Sequence, residues 1–271
     1  MDPRANGDER SDRSSFVTSS GQAPPAVQTI LGIRFFVGSA KEAVDYLTRA
    51  GGYVVVPAAP GLIKLTQDEE YQKAVTEADM AIADSGFMVL LWRMLERSPI
   101  PRISGLTYLR QLLEDPELRK TGQTFWVTPS QAAEEKTRTW LESRGFELRN
   151  DTYIAPLYPT VVEDPELVRS LETKRPKHVI IGIGGGTQEK LGRYLRLNLS
   201  YRPAIHCIGA AIGFLTGDQV KVPCWADRLY VGWLLRTLSQ PRLYFPRYWE
   251  ARTLAWLVWK YRDRLPPIEK D

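Results

Sequence analysis

Lys177-His178-Val179-Ile180-Ile181-Gly182-Ile183-Gly184-Gly185-Gly186-Thr187-Gln188-Glu189-Lys190 is the stretch on which the reading of the fold turns. Val179 to Ile183 is an apolar run without polar alternation, the pattern of a strand buried on both faces of a parallel sheet. Glycines follow at 182, 184, 185 and 186, so main-chain N–H groups can come close to a ligand. Gln188, Glu189 and Lys190 then open a helix, and a helix N-terminus after a glycine loop suits a diphosphate. A second strand, Ile205 to Ile208, ends in Gly209-Ala210-Ala211, with Gly213 and Gly217 beyond. Two strands that both end in small residues form one rim, and ligands sit at the carboxyl ends of such strands. The loop is not a dinucleotide fingerprint, because Thr187 occupies the third glycine position, and it lacks the Gly-Lys-Ser/Thr ending of a triphosphate loop. On this segment alone, a tight strand–helix turn without a ligand stands beside the phosphate reading.

Outward from this stretch the chain alternates strand and helix. Ile30 to Val37 reads as a strand, and Ser39 caps the helix after it with Glu42 three residues on. Tyr53 to Val56 is a strand stopped by Pro57, Gly61 to Ala78 a helix, and Met80 to Ala83 a strand ending in Asp84-Ser85-Gly86. A helix follows over Phe87–Leu95, and Arg102-Ile103-Ser104-Gly105 turns into another that runs through Leu113. Thr124 to Val127 is a strand, Ser130 caps a helix to Arg144, Phe146 to Leu148 is a short strand, and Asp164 to Lys174 is a helix. Repeated βα order predicts an α/β fold, with a Rossmann-like parallel sheet and helices on both faces. We divide the chain into a disordered tail over 1–29, an α/β domain over 30–218 and a helical, basic and aromatic appendage over 219–271.

Composition narrows the setting. The 271 residues carry a modest net charge of +4, with ordinary apolar and charged fractions. Two cysteines, Cys207 and Cys224, make no disulfide framework and fit a reducing compartment. His178 and His206 each adjoin an apolar strand and read as strand-edge residues rather than zinc ligands. No apolar run is long enough to span a bilayer, and residues 1–26 lack a signal-peptide core.

Two further features invite chemistry. Asp84, at the tip of a parallel strand, faces the rim of the glycine loops and could be a general base; the bland alternative, favoured by spacing alone, is a cap on the Phe87 helix. Residues 225–264 hold Trp225, Trp233, Trp249, Trp256 and Trp259, interleaved with eight basic residues that include Arg236 and Arg247. Arginine among aromatics on helical segments suggests an anionic membrane surface or a phosphorylated lipid. Nucleic acid is set aside because no recognition motif accompanies the charge. Packed amphipathic helices account for some of these aromatics.

Together these residues resemble the TagA/WecG/CpsF family of bacterial cell-envelope glycosyltransferases, glycosyltransferase family 26, from about Ile30 to Tyr248. The resemblance is carried by Asp68, by Ala78-Asp79-Met80-Ala81-Ile82-Ala83-Asp84, and by Arg102-Ile103-Ser104-Gly105. Gly182-Ile183-Gly184 with Gln188-Glu189-Lys190, Ile208-Gly209-Ala210-Ala211 to Gly217, and Pro223, Trp225, Trp233, Arg236, Pro241, Arg247 and Tyr248 complete it. It implies inverting, metal-independent transfer of an N-acetylmannosamine-type sugar from a UDP-sugar donor to an undecaprenyl-diphosphate-linked sugar. No cofactor or metal is called for. Asp84 is then the base, with Ser85, Gly184, Gly185, Gln188, Glu189, Gly209, Ala210, Arg236 and Arg247 as substrate contacts. Such an enzyme works in the cytoplasm, peripherally on the inner face of the plasma membrane, and a homo-oligomer is compatible with it. Val56-Pro57-Ala58 stands where the family has Thr-x-Asn, Asp84-Ser85 where it has Asp-Gly, and Thr107 where it has Asp. These departures motivate a rival, a catalytically altered nucleotide-sugar-binding subunit or sensor of polysaccharide assembly. A dinucleotide oxidoreductase is disfavoured, since no acid follows the Gly182 loop at ribose distance.

Overall fold

The computed structural model describes residues 25–209, 211–217 and 252–269. Among these residues the strands are β1 (Val27–Ile30), β2 (Ile33–Phe36), β3 (Gly52–Val55), β4 (Met80–Ala81), β5 (Thr124–Thr128), β6 (Thr152–Ile154), β7 (His178–Ile181) and β8 (Ala204–Cys207). They form one sheet in the order β1-β2-β4-β3-β8-β7-β5-β6. Every neighbouring pair is parallel except β1 and β2. The helices are α1 (Ala40–Ala50), α2 (Ala59–Ile63), α3 (Glu69–Thr76), α4 (Gly86–Glu96), α5 (Gly105–Leu112), α6 (Gln131–Glu142), α7 (Pro165–Lys174), α8 (Thr187–Asn198) and α9 (Ala211–Thr216). The predicted α/β class with a mainly parallel sheet is what the chain adopts.

Side chains alternate across the sheet and split the core in two. Tyr53, Val55, Val179, Ile181, Ile205 and Cys207 face one layer, with Leu62, Tyr71, Met88, Leu167 and Leu191 from α2, α3, α4, α7 and α8. Val54, Ile180 and Ala204 face the other, with Val44, Leu109, Leu141 and Ile212 from α1, α5, α6 and α9. Strands β3 and β8 are neighbours, yet α2 leaves β3 for the first layer and α9 leaves β8 for the second. Elements that part to opposite faces at adjacent strands open a crevice at the strands' carboxyl ends, where α/β proteins bind ligands.

Local chemistry sets the helix starts. Ser39 and Glu42 form the predicted capping box. Ser104 accepts from Thr107 N–H at 3.1 Å and Ser130 from Ala133 N–H at 3.3 Å.

The structure corrects several boundaries. The first strand is a hairpin: Leu31 and Gly32 turn the chain with φ of 53° and 76°, so Val27–Thr29, read as tail, pair antiparallel with β2. Residues 1–24 lie outside the described residues. Gly61–Ala78 is not one helix, because Asp68 accepts from Tyr71 N–H at 3.0 Å and starts α3 afresh. Phe146–Leu148 forms no strand; Phe146 is buried, and the strand on the outer side of β5 is β6. His178 and His206 are not strand-edge residues but lie buried in the sheet's interior.

Residues 252–261 are helical, with Leu254, Leu257 and Val258 buried in the first layer. Leu31 N–H donates to Arg262 O at 2.7 Å, and Gln72 Nε2 to Pro266 O at 2.8 Å. These contacts join 252–269 to the α/β body, whereas the sequence reading sets all of 219–271 apart. An apolar stripe spaced three and four residues apart must find a partner face. No helix among the described residues is long and apolar enough to cross a membrane.

Candidate active site

The crevice is built from four loop ends. After β4 the chain passes Ile82 and Ala83 to Asp84, which is half-buried. Asp84 does not cap α4: Ser85, buried, accepts from Met88 N–H at 3.2 Å and does that work. The Asp84 carboxylate turns instead to the start of α5, where Oδ1 accepts the Gly105 N–H at 3.2 Å. Arg102 Nε donates to the Asp84 carbonyl at 2.8 Å, and Ile103 N–H to the Ala83 carbonyl at 3.1 Å. Strand tip and helix start are thereby fastened together.

Gly105 carries the geometry across to β8. A Cβ at that position would lie 3.3 Å from the Ile208 carbonyl and 3.6 Å from Val56 Cγ1. The helix start therefore touches the turn at Gly209 and the end of β3. On the far side, a Cβ on Gly182 would meet Ile212 Cγ2 at 3.4 Å and the Gly209 carbonyl at 3.7 Å. Asp84, Gly105, Gly209 and the 182–186 loop thus follow one another along a single rim. Gly184 and Gly185 are exposed, with open space where a side chain would stand, and Gly186 turns into α8 with φ of 96°. Ala210, Arg236 and Arg247 lie outside the described residues.

Gln188 and Glu189 stand behind the loops and are buried. Gln188 Oε1 accepts the Gly209 N–H at 2.5 Å, and its Nε2 donates to Glu189 Oε1 at 3.1 Å. Glu189 Oε2 accepts the Gly186 N–H at 2.6 Å. Burial pushes the Glu189 carboxyl above its ordinary value, against the opposing pull of these hydrogen bonds.

A polar chain the sequence reading missed runs beneath the rim. Tyr108 Oη, on α5, is 2.9 Å from His206 Nδ1, and His206 Nε2 is 3.0 Å from His178 Nδ1. Burial depresses His178 to about 4. Burial, with His178 beside it, takes His206 well below its ordinary range. The signal for it in the sequence is period two: His178 and Ile180 share a face of β7, as do Ala204 and His206 on β8. Gly105 likewise carries a role that its place in the Arg102–Gly105 turn does not reveal.

A crevice at a strand-order reversal, edged by a carboxylate and glycine turns, suits an enzyme of nucleotide-linked substrates, and the class is that of glycosyltransferases. The family model "Glycosyl transferase WecG/TagA/CpsF family" matches residues 28–267, and the chain belongs to that family. It is similar to the N-acetylglucosaminyldiphosphoundecaprenol N-acetyl-beta-D-mannosaminyltransferase of Bacillus spizizenii, at 21% identity over 200 residues, covering 72% of this chain and 75% of the relative.

Proposed function

We propose that this glycosyltransferase moves an N-acetylmannosamine-type or related sugar from a UDP-sugar to a polyprenyl-diphosphate-linked acceptor, in exopolysaccharide or cell-envelope glycan assembly. The acceptor hydroxyl attacks the anomeric carbon and gives its proton to Asp84. As the new C–O bond forms, the bond from the anomeric carbon to the diphosphate oxygen breaks, and UDP leaves with the electron pair. Attack opposite the leaving group inverts the configuration. The 182–186 loop and the Gly209 turn would hold the nucleotide sugar. Arg236 and Arg247 would offset the charge on the departing UDP in place of a metal, since guanidinium groups meet diphosphate oxygens in pairs.

The observation that carries this reading is the Asp84–Gly105 hydrogen bond, 3.2 Å long, at a helix start that abuts the Ile208 carbonyl beside Gly209. It puts a carboxylate and a candidate donor cradle on one rim. The acceptor class is supported by the diphosphoundecaprenol named for the Bacillus relative. Peripheral contact with the inner membrane face is supported by Trp256 and Trp259, 44% and 61% exposed, beside Lys260, whose Nζ lies 4.3 Å from the Trp256 ring centre. The test is UDP release from a panel of UDP-sugars, with and without a polyprenyl-diphosphate-linked sugar. Acceptor-dependent release supports transfer, and none with any donor removes it.

One observation favours the second reading, a nucleotide-sugar-binding subunit. The rim position after β3 is apolar, with Val56 buried against the α5 start and Pro57 and Ala58 following. Calorimetric binding of a UDP-sugar without any turnover would select it.

A further inference from the structure

Gln188 is buried, and each end of its amide is engaged by the protein itself. Only one orientation of that amide fits. The Gly209 N–H demands an acceptor, so Oε1 must face it; Nε2 then meets the Glu189 carboxylate, which demands a donor. The other carboxylate oxygen takes the Gly186 N–H. The result is a directional chain of three hydrogen bonds, from the glycine loop after β7, through two adjacent side chains, to the glycine turn after β8. Gly209 sits at φ of 60°, and the Gln188 carbonyl also accepts from Cys207 Sγ at 3.3 Å.

We infer that Gln188 and Glu189 form a latch that sets the spacing and main-chain orientation of the two glycine turns, and that Gln188 acts as a positioning residue rather than as a ligand of the donor sugar. The inference rests on the reading that these turns hold the nucleotide sugar. Substrate would then meet the main-chain groups of the turns, and the latch would fix where those groups point. Preorganised main-chain donors stabilise developing charge only if they are held in place beforehand.

The latch makes a sharp prediction because its hydrogen-bonding pattern can be inverted. In Glu189→Gln two amides face each other between two N–H donors. However they are turned, one donor meets another, and a buried donor left unpaired costs roughly tenfold or more in kcat/KM. In Gln188→Glu two carboxylates face each other and must share a proton. That variant works at low pH and loses activity as pH rises and the shared proton leaves. The double swap, Gln188→Glu with Glu189→Gln, satisfies every group again. The carboxylate then at position 188 accepts from the Gly209 N–H and from the amide then at position 189, whose oxygen takes the Gly186 N–H.

The experiment measures kcat and KM for acceptor-dependent UDP release across pH for wild type, both single variants and the swap. Hydrogen exchange at the Gly186 and Gly209 amides is followed in the same four proteins. The latch predicts that each single variant is impaired and that the swap recovers to within a few-fold of wild type. It also predicts an alkaline loss confined to Gln188→Glu. In Glu189→Gln it predicts faster exchange at either or both amides, which the swap reverses, because a main-chain N–H loses its acceptor or the two facing NH2 groups push the turns apart. A swap no better than the poorer single variant, with losses that simply add, would overturn the inference and make Gln188 a direct donor contact. The exchange data need no sugar, so absent wild-type turnover would sink the transferase reading while the latch is still judged. If a single variant melts too low for assay, recovery of the melting temperature in the swap reads the same pairing.

Discussion

The N–H of Gly105, the first residue of α5, donates to Asp84 Oδ1 at 3.2 Å, although the whole of α4 lies between the two residues in the chain. This bond aims the carboxylate along the rim, and it can be removed at one atom. Proline is tolerated at the first helical position, and the preceding Ser104 already has extended angles, φ −73° and ψ 151°. Gly105→Pro should therefore fold, but without the donor. Gly105→Ala adds a similar Cβ and keeps the N–H. We expect kcat/KM for sugar transfer to fall about ten- to hundredfold further in the proline variant than in the alanine variant, the worth of a hydrogen bond to a charged group. Equal activities would mean that the bond does not orient Asp84.

The buried histidines give a pH dependence whose sign follows from burial. Unfolded, each takes a proton near its ordinary value of 6.5, whereas in the fold His178 does so only at about 4. Between those values the unfolded chain binds more protons, so stability falls as pH drops through that window, by up to about 1.4 kcal/mol per pH unit for each imidazole. Urea unfolding at pH 7, 6 and 5 should show His178→Asn with a shallower slope by about one proton. Parallel slopes would contradict the neutral, buried assignment.

The packing of α8 on the sheet depends on a missing side chain. A Cβ at Gly192 would stand 2.5 Å from Cys207 Sγ and 3.4 Å from the Tyr53 ring. Gly192→Ala should cost about 1–3 kcal/mol by overpacking. Adding Cys207→Ala should return part of that loss, because it removes the atom most closely met. Additive losses in thermal melts would place the strain elsewhere.

The exposed aromatics on the helix over 252–261 bear on where the enzyme works. Leu254, Leu257 and Val258 are buried, while Trp256 and Trp259 face outward with Lys260 over the Trp256 ring. Replacing both tryptophans by alanine should weaken sedimentation with anionic vesicles by about tenfold or more, leaving the fold intact. Salt should weaken the wild-type protein's binding too, since part of the attraction is charge. Unaltered sedimentation would assign these side chains another role.

The strand, glycine loop and helix from His178 to Asn198 were legible because an apolar run, a glycine cluster and an amphipathic stretch each have a distinct local pattern. The same holds for the caps at Ser39 and Ser130. The hairpin at Leu31–Gly32 was hidden because leucine, at φ of 53°, is not a residue that advertises a turn. Asp68 interrupts a periodicity that by itself looks continuous, since a capping aspartate announces itself only when its side chain turns back on the main chain. The site was legible as a rim and not as contacts. The sequence places Asp84 and the glycine turns at strand ends, but which of those turns stand beside the carboxylate depends on strand order. That order, β4-β3-β8-β7, is set by packing over long range. The sequence reading turns Gln188 toward substrate, and only the fold reveals Gly209 as its partner.

The most direct test of the account is acceptor-dependent UDP release by Asp84→Asn. Asparagine keeps an oxygen for the Gly105 N–H, so the fold and the UDP-sugar affinity should persist while the proton acceptor is lost. We predict a fall in kcat on the order of a hundred- to ten-thousandfold with little change in donor binding. Turnover equal to that of the unaltered enzyme would contradict the assignment of Asp84 as the base.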